Sequence, residues 1–193
     1  MAWPPRFLFI ANRLCVDFVL TGGEGARSRW ERWNTPGDLV DWFAACSLRL
    51  SLVEVRPREL AAARQLREAV WKGAQSILRG NGLPAAVVRE LERTAARRDL
   101  VPVYRRGHAG WAPESTAMQA LSTVARDALA LFGTDAKRRL RECRNSRCPL
   151  LFVDTSRPGR RAWCAMRRCG NMDKTARYRR KRKSNMRAEG ARR

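Results

Sequence analysis

The chain has 193 residues, of which 45% are hydrophobic and seven are Trp, and this composition excludes a chain that is disordered throughout. The net charge of +22 is uneven: residues 137–193 carry 21 Lys and Arg against 4 Asp and Glu, a net +17, whereas residues 1–136 carry 19 against 14, a net +5. This asymmetry favours a nucleic acid as partner over an anionic membrane surface, or over charge that serves solubility alone.

The sequence predicts neither export nor membrane insertion. No stretch approaches the roughly 20 uncharged apolar residues that a transmembrane helix needs. Near the start, an apolar run of only four residues, 7–10, precedes Arg13, which does not fit a secretory signal. We therefore expect a reducing cytoplasm, with association to the nucleoid and none to a membrane. In that compartment paired cysteines favour metal binding over disulfides.

The first predicted element covers residues 7–20, which are mostly apolar and in which only Arg13 and Asp17 are charged. We expect a short strand or a hairpin arm here, with Cys15 in the core. The glycine-rich stretch 22–25 lacks the strand and helix that flank a dinucleotide-binding loop, so it predicts a turn rather than a phosphate site.

Apolar residues at three- and four-residue spacing then predict four helices. The first begins at Pro36, with Thr35 as its N-cap, and its apolar stripe includes Cys46 as a core residue. The other three are predicted over 57–79, 84–97 and 114–132.

A hairpin is predicted between the third and fourth of these helices, with strands at 101–104 and 111–112. His108, the single histidine of the chain, lies in its turn, where no cysteine or carboxylate has ligand spacing, and we expect a surface residue. The scarcity of histidine also removes the commonest general base. Residues 134–138 are the expected linker between a domain over 1–135 and a second unit over 139–187, and a disordered tail is expected over 188–193.

Four cysteines in the second unit have metal-ligand spacing, Cys143-x4-Cys148-x15-Cys164-x4-Cys169. Two such pairs can place four sulfurs about 2.3 Å from one tetrahedral ion. Because thiolates fill every position, the predicted site is structural rather than catalytic, and it contributes about 10–16 kcal/mol of apparent binding energy to folding. One zinc ion is the expected cofactor, and an iron–sulfur cluster is the alternative.

Between the two pairs, the sequence predicts a small hairpin. Residues 150–153 are rich in β-formers, 154–160 have turn chemistry, and 161–163 are expected to return as a second strand into Cys164.

The stretches Cys148-Pro-Leu-Leu-Phe-Val-Asp154 and Cys169-Gly-Asn171 resemble the CGNR-type zinc finger, and the resemblance covers about 140–183. Bacterial members of that family resemble treble-clef fingers and are proposed to be transcription regulators. The same family has an N-terminal ABATE domain with an L-x-x-D-F-V-N-T signature, to which residues 14–21 are similar.

The resemblance implies that the four zinc ligands are Cys143, Cys148, Cys164 and Cys169. Two positions differ from the family pattern. Met172 stands where the family has its name-giving arginine, and Leu20 stands where the signature has asparagine.

A basic segment follows the last cysteine, with seven Lys and Arg between 174 and 183. Asn171 or Asp173 suits the N-cap of a helix here. On such a helix like charges repel one another, and phosphates would relieve the repulsion. The alternative is a solvated, disordered tail. The candidate nucleic-acid contacts are Arg160, Arg161, Arg167, Arg168, Lys174, Arg177, Arg179, Arg180, Lys181, Arg182 and Lys183.

The predicted fold class is α+β: a mostly helical N-terminal domain with a short β element, followed by a treble-clef-like ββα zinc finger. The leading hypothesis is a zinc-dependent, DNA-binding transcription regulator that contacts mainly phosphates. Its first domain would sense an unidentified small-molecule effector or form a homodimer. RNA or ribosome binding is the alternative, although Tyr178 is the one aromatic residue of the basic segment, which favours duplex DNA. An enzyme is not expected, because no nucleophile–base pair appears in the sequence.

Overall fold

Helices dominate the first two thirds of the chain. The computed structural model describes residues 6–146, 148–176, 178–179 and 182. Its helical front consists of α1 (Leu14–Val19), α2 (Pro36–Ala45), α3 (Pro57–Leu78), α4 (Ala85–Ala95) and α5 (Ala117–Gly133). A 3₁₀-helix over Gly25–Trp30 precedes α2, and another over Asp135–Arg139 follows α5.

Two antiparallel sheets of two strands each accompany these helices. Strand β1 (Pro102–Arg105) pairs with β2 (His108–Trp111), and β3 (Leu140–Glu142) pairs with β4 (Leu151–Val153). The turn between β1 and β2 has only two residues, Arg106 and Gly107, both with positive φ, as a type I′ hairpin requires. The predicted hairpin is confirmed, but its turn is shorter than expected, so His108 lies at the start of β2 rather than in the turn, and it is exposed.

The end of the described chain is helical again. A single π-helical turn spans Met166–Gly170, and residues 171–176, 178–179 and 182 are α-helical. We call this last part the C-terminal helix, and the chain from β3 onward the finger. The predicted tail at 188–193 lies outside the described residues. The predicted α+β class is confirmed, whereas the treble-clef likeness stays a prediction.

Capping residues explain where the helices begin. At α2, Asp38 Oδ2 accepts a hydrogen bond from the Thr35 backbone N at 2.6 Å, which completes a capping box ahead of Pro36. At α5, Gln119 N donates to Thr116 Oγ1 at 3.3 Å, and Thr116 N donates to Gln119 Oε1 at 2.9 Å. The four predicted helices are confirmed, and α5 begins three residues later than expected because Thr116 is its cap.

Aromatic side chains fill the centre of the core. The Phe18 ring meets Trp33 and Trp42 edge to face, with centroids 4.7 and 5.1 Å apart. Cys15 and Cys46 are buried in the same cluster, as predicted. The cluster continues without a break into the finger, since it also contains buried residues of β3 and β4.

The prediction of a strand or hairpin arm over 7–20 is wrong, because this stretch ends in helix α1. Asp17 Oδ1 accepts hydrogen bonds from Ile10 N and Ala11 N, both at 2.9 Å, and so folds the preceding segment back against the helix. Four of the six residues of α1 are buried, so the helix lacks the polar face that would have indicated its period.

The expected linker at 134–138 is mostly 3₁₀-helix, and it packs against α5 and β4. The finger is fixed to the front at a second place. The Val153 backbone N donates to Ala11 O at 2.8 Å, and Asn12 Nδ2 donates to Val153 O at 3.1 Å. The free edge of β4 is therefore occupied by the segment before α1.

Candidate metal centre and nucleic-acid interface

Four cysteine sulfurs converge at one point in the finger. The Sγ atoms of Cys143, Cys148, Cys164 and Cys169 all lie within 4.8 Å of one another. Cys164 Sγ is 3.7 Å from both Cys148 Sγ and Cys169 Sγ. Tetrahedral zinc with bonds of about 2.3 Å places its sulfurs about 3.8 Å apart, whereas a disulfide needs about 2.05 Å. The cysteines are unbridged and fit a single zinc ion.

Local backbone structure brings each pair of cysteines together. Cys143 follows β3, and its N donates to Leu150 O at 3.0 Å, next to β4. Cys148 N donates to Asn145 O at 2.8 Å and closes the loop of the first pair. Cys169 N donates to Ala165 O at 2.9 Å within the π-helical turn. Two tight turns therefore present the four sulfurs, as the spacing predicts.

The surroundings of the sulfurs favour the thiolate form at one position. The contact between the sulfurs of Cys148 and Cys164 lowers the pKa of Cys148 to about 5 and holds the pKa of Cys164 above its usual range. Cys164 N also points at Cys143 Sγ from 3.5 Å. Thiolates are the form that binds zinc, and four buried ones leave no open position, so the site suits a structural ion.

Asp154 organises the turn between the two pairs. It is buried, and its carboxylate accepts hydrogen bonds from Ser156 N at 2.9 Å, Ser156 Oγ at 2.6 Å and Arg161 N at 2.9 Å. Burial alone would raise the pKa of Asp154, but the hydrogen bonds outweigh this effect and lower it.

The same contacts explain why the predicted second strand at 161–163 is wrong. The Arg161 backbone N–H goes to Asp154, and its guanidinium lies 4.7 Å from the Phe152 ring centroid and donates to Trp163 O. These side-chain contacts hold residues 161–163 without a sheet ladder. The partner of β4 is β3, which precedes the first cysteine.

A groove of about 700 Å³ runs between the loop 144–146 and the C-terminal helix. Among the described residues, its charged lining consists of four arginines and one acid, namely Arg144, Arg167, Arg168, Arg179 and Asp173. The loop lies between the two cysteines of the first pair and the helix directly follows the second pair, so an ion bound by the four sulfurs would fix the distance between the two walls. We call this feature the basic groove.

The predicted nucleic-acid residues fall into four groups. Three line the basic groove: Arg167, Arg168 and Arg179. Three are exposed outside it: Arg160, Lys174 and Arg182. Arg161 is engaged inside the finger, as described above. The remaining four lie outside the described residues: Arg177, Arg180, Lys181 and Lys183.

Arg144 lines the basic groove but was not predicted as a contact. Its only sequence signal is its place between the first two cysteines, in a loop that contains a second arginine at 147. Sequence reasoning treated that loop as a turn, because its proximity to the C-terminal helix depends on how the metal site folds.

Comparison with known families places both halves of the chain. The model of the ABATE family, described as "Putative stress-induced transcription regulator", matches residues 12–135, and the CGNR zinc finger matches residues 139–182. Neither is described as an enzyme. No curated protein matches the chain. Because the first match covers more than half of the chain and the second contains all four cysteines, the protein belongs to the ABATE family and carries a C-terminal CGNR zinc finger able to bind one zinc ion.

Proposed function

We propose that this protein is a zinc-dependent, DNA-binding transcription regulator. The basic groove is the observation that carries the proposal, because four arginines against a single acid on a concave surface complement a phosphate backbone. A guanidinium can donate two parallel hydrogen bonds to one phosphate. Such a surface therefore selects phosphate groups by geometry as well as by charge.

Zinc has a structural part in this function. Cys143, Cys148, Cys164 and Cys169 would hold the ion, and the ion supplies the cross-link that a small polar finger lacks. Arg144 follows the first ligand directly, and Arg168 precedes the last, so the cross-link also sets the spacing of the groove arginines. Without it, we expect the groove to lose its shape.

Phosphates rather than bases are the main contacts of the proposed complex. Lys174 and Arg182 are exposed on the C-terminal helix and extend the positive surface beyond the groove. A phosphate contact requires only a positive side chain that can reach the phosphate. Base readout requires hydrogen-bond donors placed opposite particular base edges, and this surface does not specify such a placement. The front would sense a signal, or pair two chains, and so change the affinity of the finger.

RNA binding is the second candidate function. Tyr178 is 68% exposed on the C-terminal helix, and an exposed aromatic ring is a surface on which unpaired bases stack. We favour duplex DNA because this ring stands alone among charged residues in the described part of the helix, whereas RNA readers commonly use two or three rings.

Fluorescence anisotropy of the zinc-loaded full-length protein tests the proposal, with duplex DNA and a structured RNA compared at matched salt. Neutralisation of about four to six phosphates predicts that log K falls against log salt with a slope of roughly −4 to −5. Arg179→Gln should weaken DNA binding about three- to tenfold and reduce the slope by about 1. Arg89→Gln, an exposed arginine on α4, is the matched control and should change neither.

Three results would overturn the proposal. The first is no duplex binding at about 50 mM salt, where electrostatic affinity is high. The second is tighter binding of the RNA at every salt concentration. The third is an equal loss of affinity in the Arg179 and Arg89 variants, which would mean that net charge alone acts rather than the groove.

A further inference from the structure

A cavity of about 170 Å³ lies between the helical front and the finger. Leu20 and Trp71 line it from the front, and Leu150 and Arg168 line it from the finger. A molecule in this cavity would therefore touch both units at once. We call it the interdomain cavity.

The charged side chains that line the interdomain cavity are all positive among the described residues. Its lining includes four arginines, Arg6, Arg27, Arg32 and Arg168, and no acidic side chain among the described residues. Arg6 already pairs with Asp38 and Asp41, and Arg27 pairs with Glu68. Arg32 and Arg168 make no ion pair within the described part of the chain.

Arg168 and Arg32 both line this cavity and are incompletely paired. Arg168 Nη1 is buried and has no hydrogen-bond partner among the described residues. The guanidinium of Arg32 makes no ion pair or side-chain hydrogen bond within the described part of the chain, and the residue is half-buried. Buried polar groups in folded proteins nearly always have partners, and an unpartnered guanidinium nitrogen at a cavity indicates an anionic group as its complement.

The remaining lining limits the size and character of that ligand. Leu8, Val19, Leu20 and Leu150 make much of the wall apolar. A dry cavity of about 150 Å³ holds one benzene ring. A volume of about 170 Å³ therefore suits a single ring with one small charged group.

We propose that the interdomain cavity binds a small aromatic carboxylate, held by Arg32 from the front and Arg168 from the finger, and that this ligand weakens DNA binding. The predicted weakening of DNA binding rests on the proposed function. It follows from the position of Arg168, which lines both the interdomain cavity and the basic groove. A carboxylate that engages this guanidinium competes with a phosphate for it, so the two ligands oppose each other, and the coupling is reciprocal.

Isothermal titration calorimetry of the zinc-loaded protein without DNA tests the binding site, with benzoate as the probe and benzamide as its neutral counterpart of equal size. For a ligand of this size we expect a Kd of about 0.1–1 mM for benzoate and at least about tenfold weaker binding of benzamide. Arg32→Met should raise the Kd for benzoate about tenfold, whereas Arg89→Met should leave it unchanged. Thermal unfolding of both variants verifies that they fold.

A second measurement locates the probe independently of any variant. Benzoate ring protons should show nuclear Overhauser contacts to the methyl groups of both Leu20 and Leu150. Contacts to one of them alone, or to neither, would overturn the interdomain placement. Three results would overturn the aromatic carboxylate as the ligand class. They are equal affinity for benzamide and benzoate, displacement of benzoate by equimolar sulfate, and an equal effect of Arg32→Met and Arg89→Met on the benzoate Kd.

Fluorescence anisotropy with duplex DNA at constant ionic strength tests whether the ligand weakens DNA binding. Saturating benzoate should weaken DNA binding about three- to tenfold, and saturating DNA should raise the benzoate Kd by the same factor. If benzoate binds and DNA affinity stays constant, the coupling is wrong. If the protein fails to bind DNA without benzoate, the proposed function is wrong, while the calorimetric result still decides the ligand site.

Discussion

Asp17 connects the helical front to the finger through a short chain of contacts. Its carboxylate accepts the backbone hydrogens of Ile10 and Ala11, and Ala11 O in turn accepts the hydrogen bond from Val153 on β4. Burial raises the pKa of Asp17 to about 6, although the two hydrogen bonds act in the opposite direction. The ionised form is thus less favoured in the folded protein than in the unfolded chain.

This shift predicts a pH dependence of stability. Because the pKa of Asp17 is higher in the folded state than the usual value near 4, its contribution is fully present below about pH 4 and is lost as pH rises through about 6. Asp17→Asn keeps an oxygen acceptor but does not titrate, so the free energy of unfolding should fall less between pH 5 and pH 7 than in the wild type, by about 1 kcal/mol. Urea unfolding at both pH values measures this difference.

Asp135→Asn is the control for that experiment, because the Asp135 side chain is 87% exposed. Its pH profile should match that of the wild type. An unchanged profile in the Asp17 variant would show that the carboxyl stays ionised in the folded protein.

The cysteines support a second prediction at the scale of single residues. Cys164 lies 3.7 Å from two of its three partners, so Cys164→Ser should remove the ion and reduce the metal content from one zinc per chain to nearly none. Cys46→Ala is the matched control, since Cys46 is a buried cysteine away from the cluster, and it should retain one zinc. Metal analysis after gel filtration provides the measurement. Full zinc content in the Cys164 variant would exclude Cys164 as a ligand.

Helix α3 shows how far apolar periodicity predicts an element. The spacing of Leu60, Leu66 and Val70 indicates both the helix and its core face, and all three are buried. Arg67 and Glu68 are also buried, which periodicity alone does not predict. They are covered because the segment before α2 folds over this helix, a tertiary contact that has no local signature.

The charges of the buried Arg67 and Glu68 are neutralised by ion pairs. Arg67 is 2% exposed, and its Nη1 donates to Glu31 Oε1 at 2.8 Å, while Glu68 pairs with Arg27, whose guanidinium stacks 4.2 Å from the Trp71 ring centroid. The candidate site, like helix α3, is only partly predictable from the local sequence pattern. The spacing of the cysteines predicts the metal cluster, but the basic groove depends on a loop and a helix that only the folded finger brings together.

A buried ion pair predicts a large effect when one partner is removed. Arg67→Met should destabilise the protein by about 3–5 kcal/mol, because it leaves the Glu31 carboxylate without its partner. Arg58→Met, on the exposed first turn of α3, should change stability by less than about 0.5 kcal/mol. Urea unfolding at neutral pH compares the two. A similar small effect of both substitutions would show that Glu31 finds another donor or water.

At the scale of the whole molecule, one hydrophobic cluster joins both units. Leu140, Leu151 and Phe152 of the finger are fully buried in the same cluster as the residues of α3 and α5. The front nevertheless has a large apolar core of its own, whereas the finger depends on its metal site. The described residues include no helix long and apolar enough to cross a membrane.

Removal of zinc should therefore unfold the protein in part. With a chelator present, peptides over 140–153 should lose protection from hydrogen exchange, while peptides from α3 and α5 keep theirs, because each unit opens according to its own stability. Mass spectrometry of exchanged peptides distinguishes the two regions. Loss of protection in α5 at the same rate as in β4 would mean that the chain unfolds as a single cooperative unit.

The hydrogen bonds between β4 and the segment before α1 limit how this finger can be transplanted. A fragment that starts at residue 139 would leave the outer edge of β4 unpaired, because Val153 would lose both of its hydrogen-bond partners, Ala11 and Asn12. A chimera that moves the finger onto a foreign carrier protein must therefore also supply residues 7–12 or an equivalent edge.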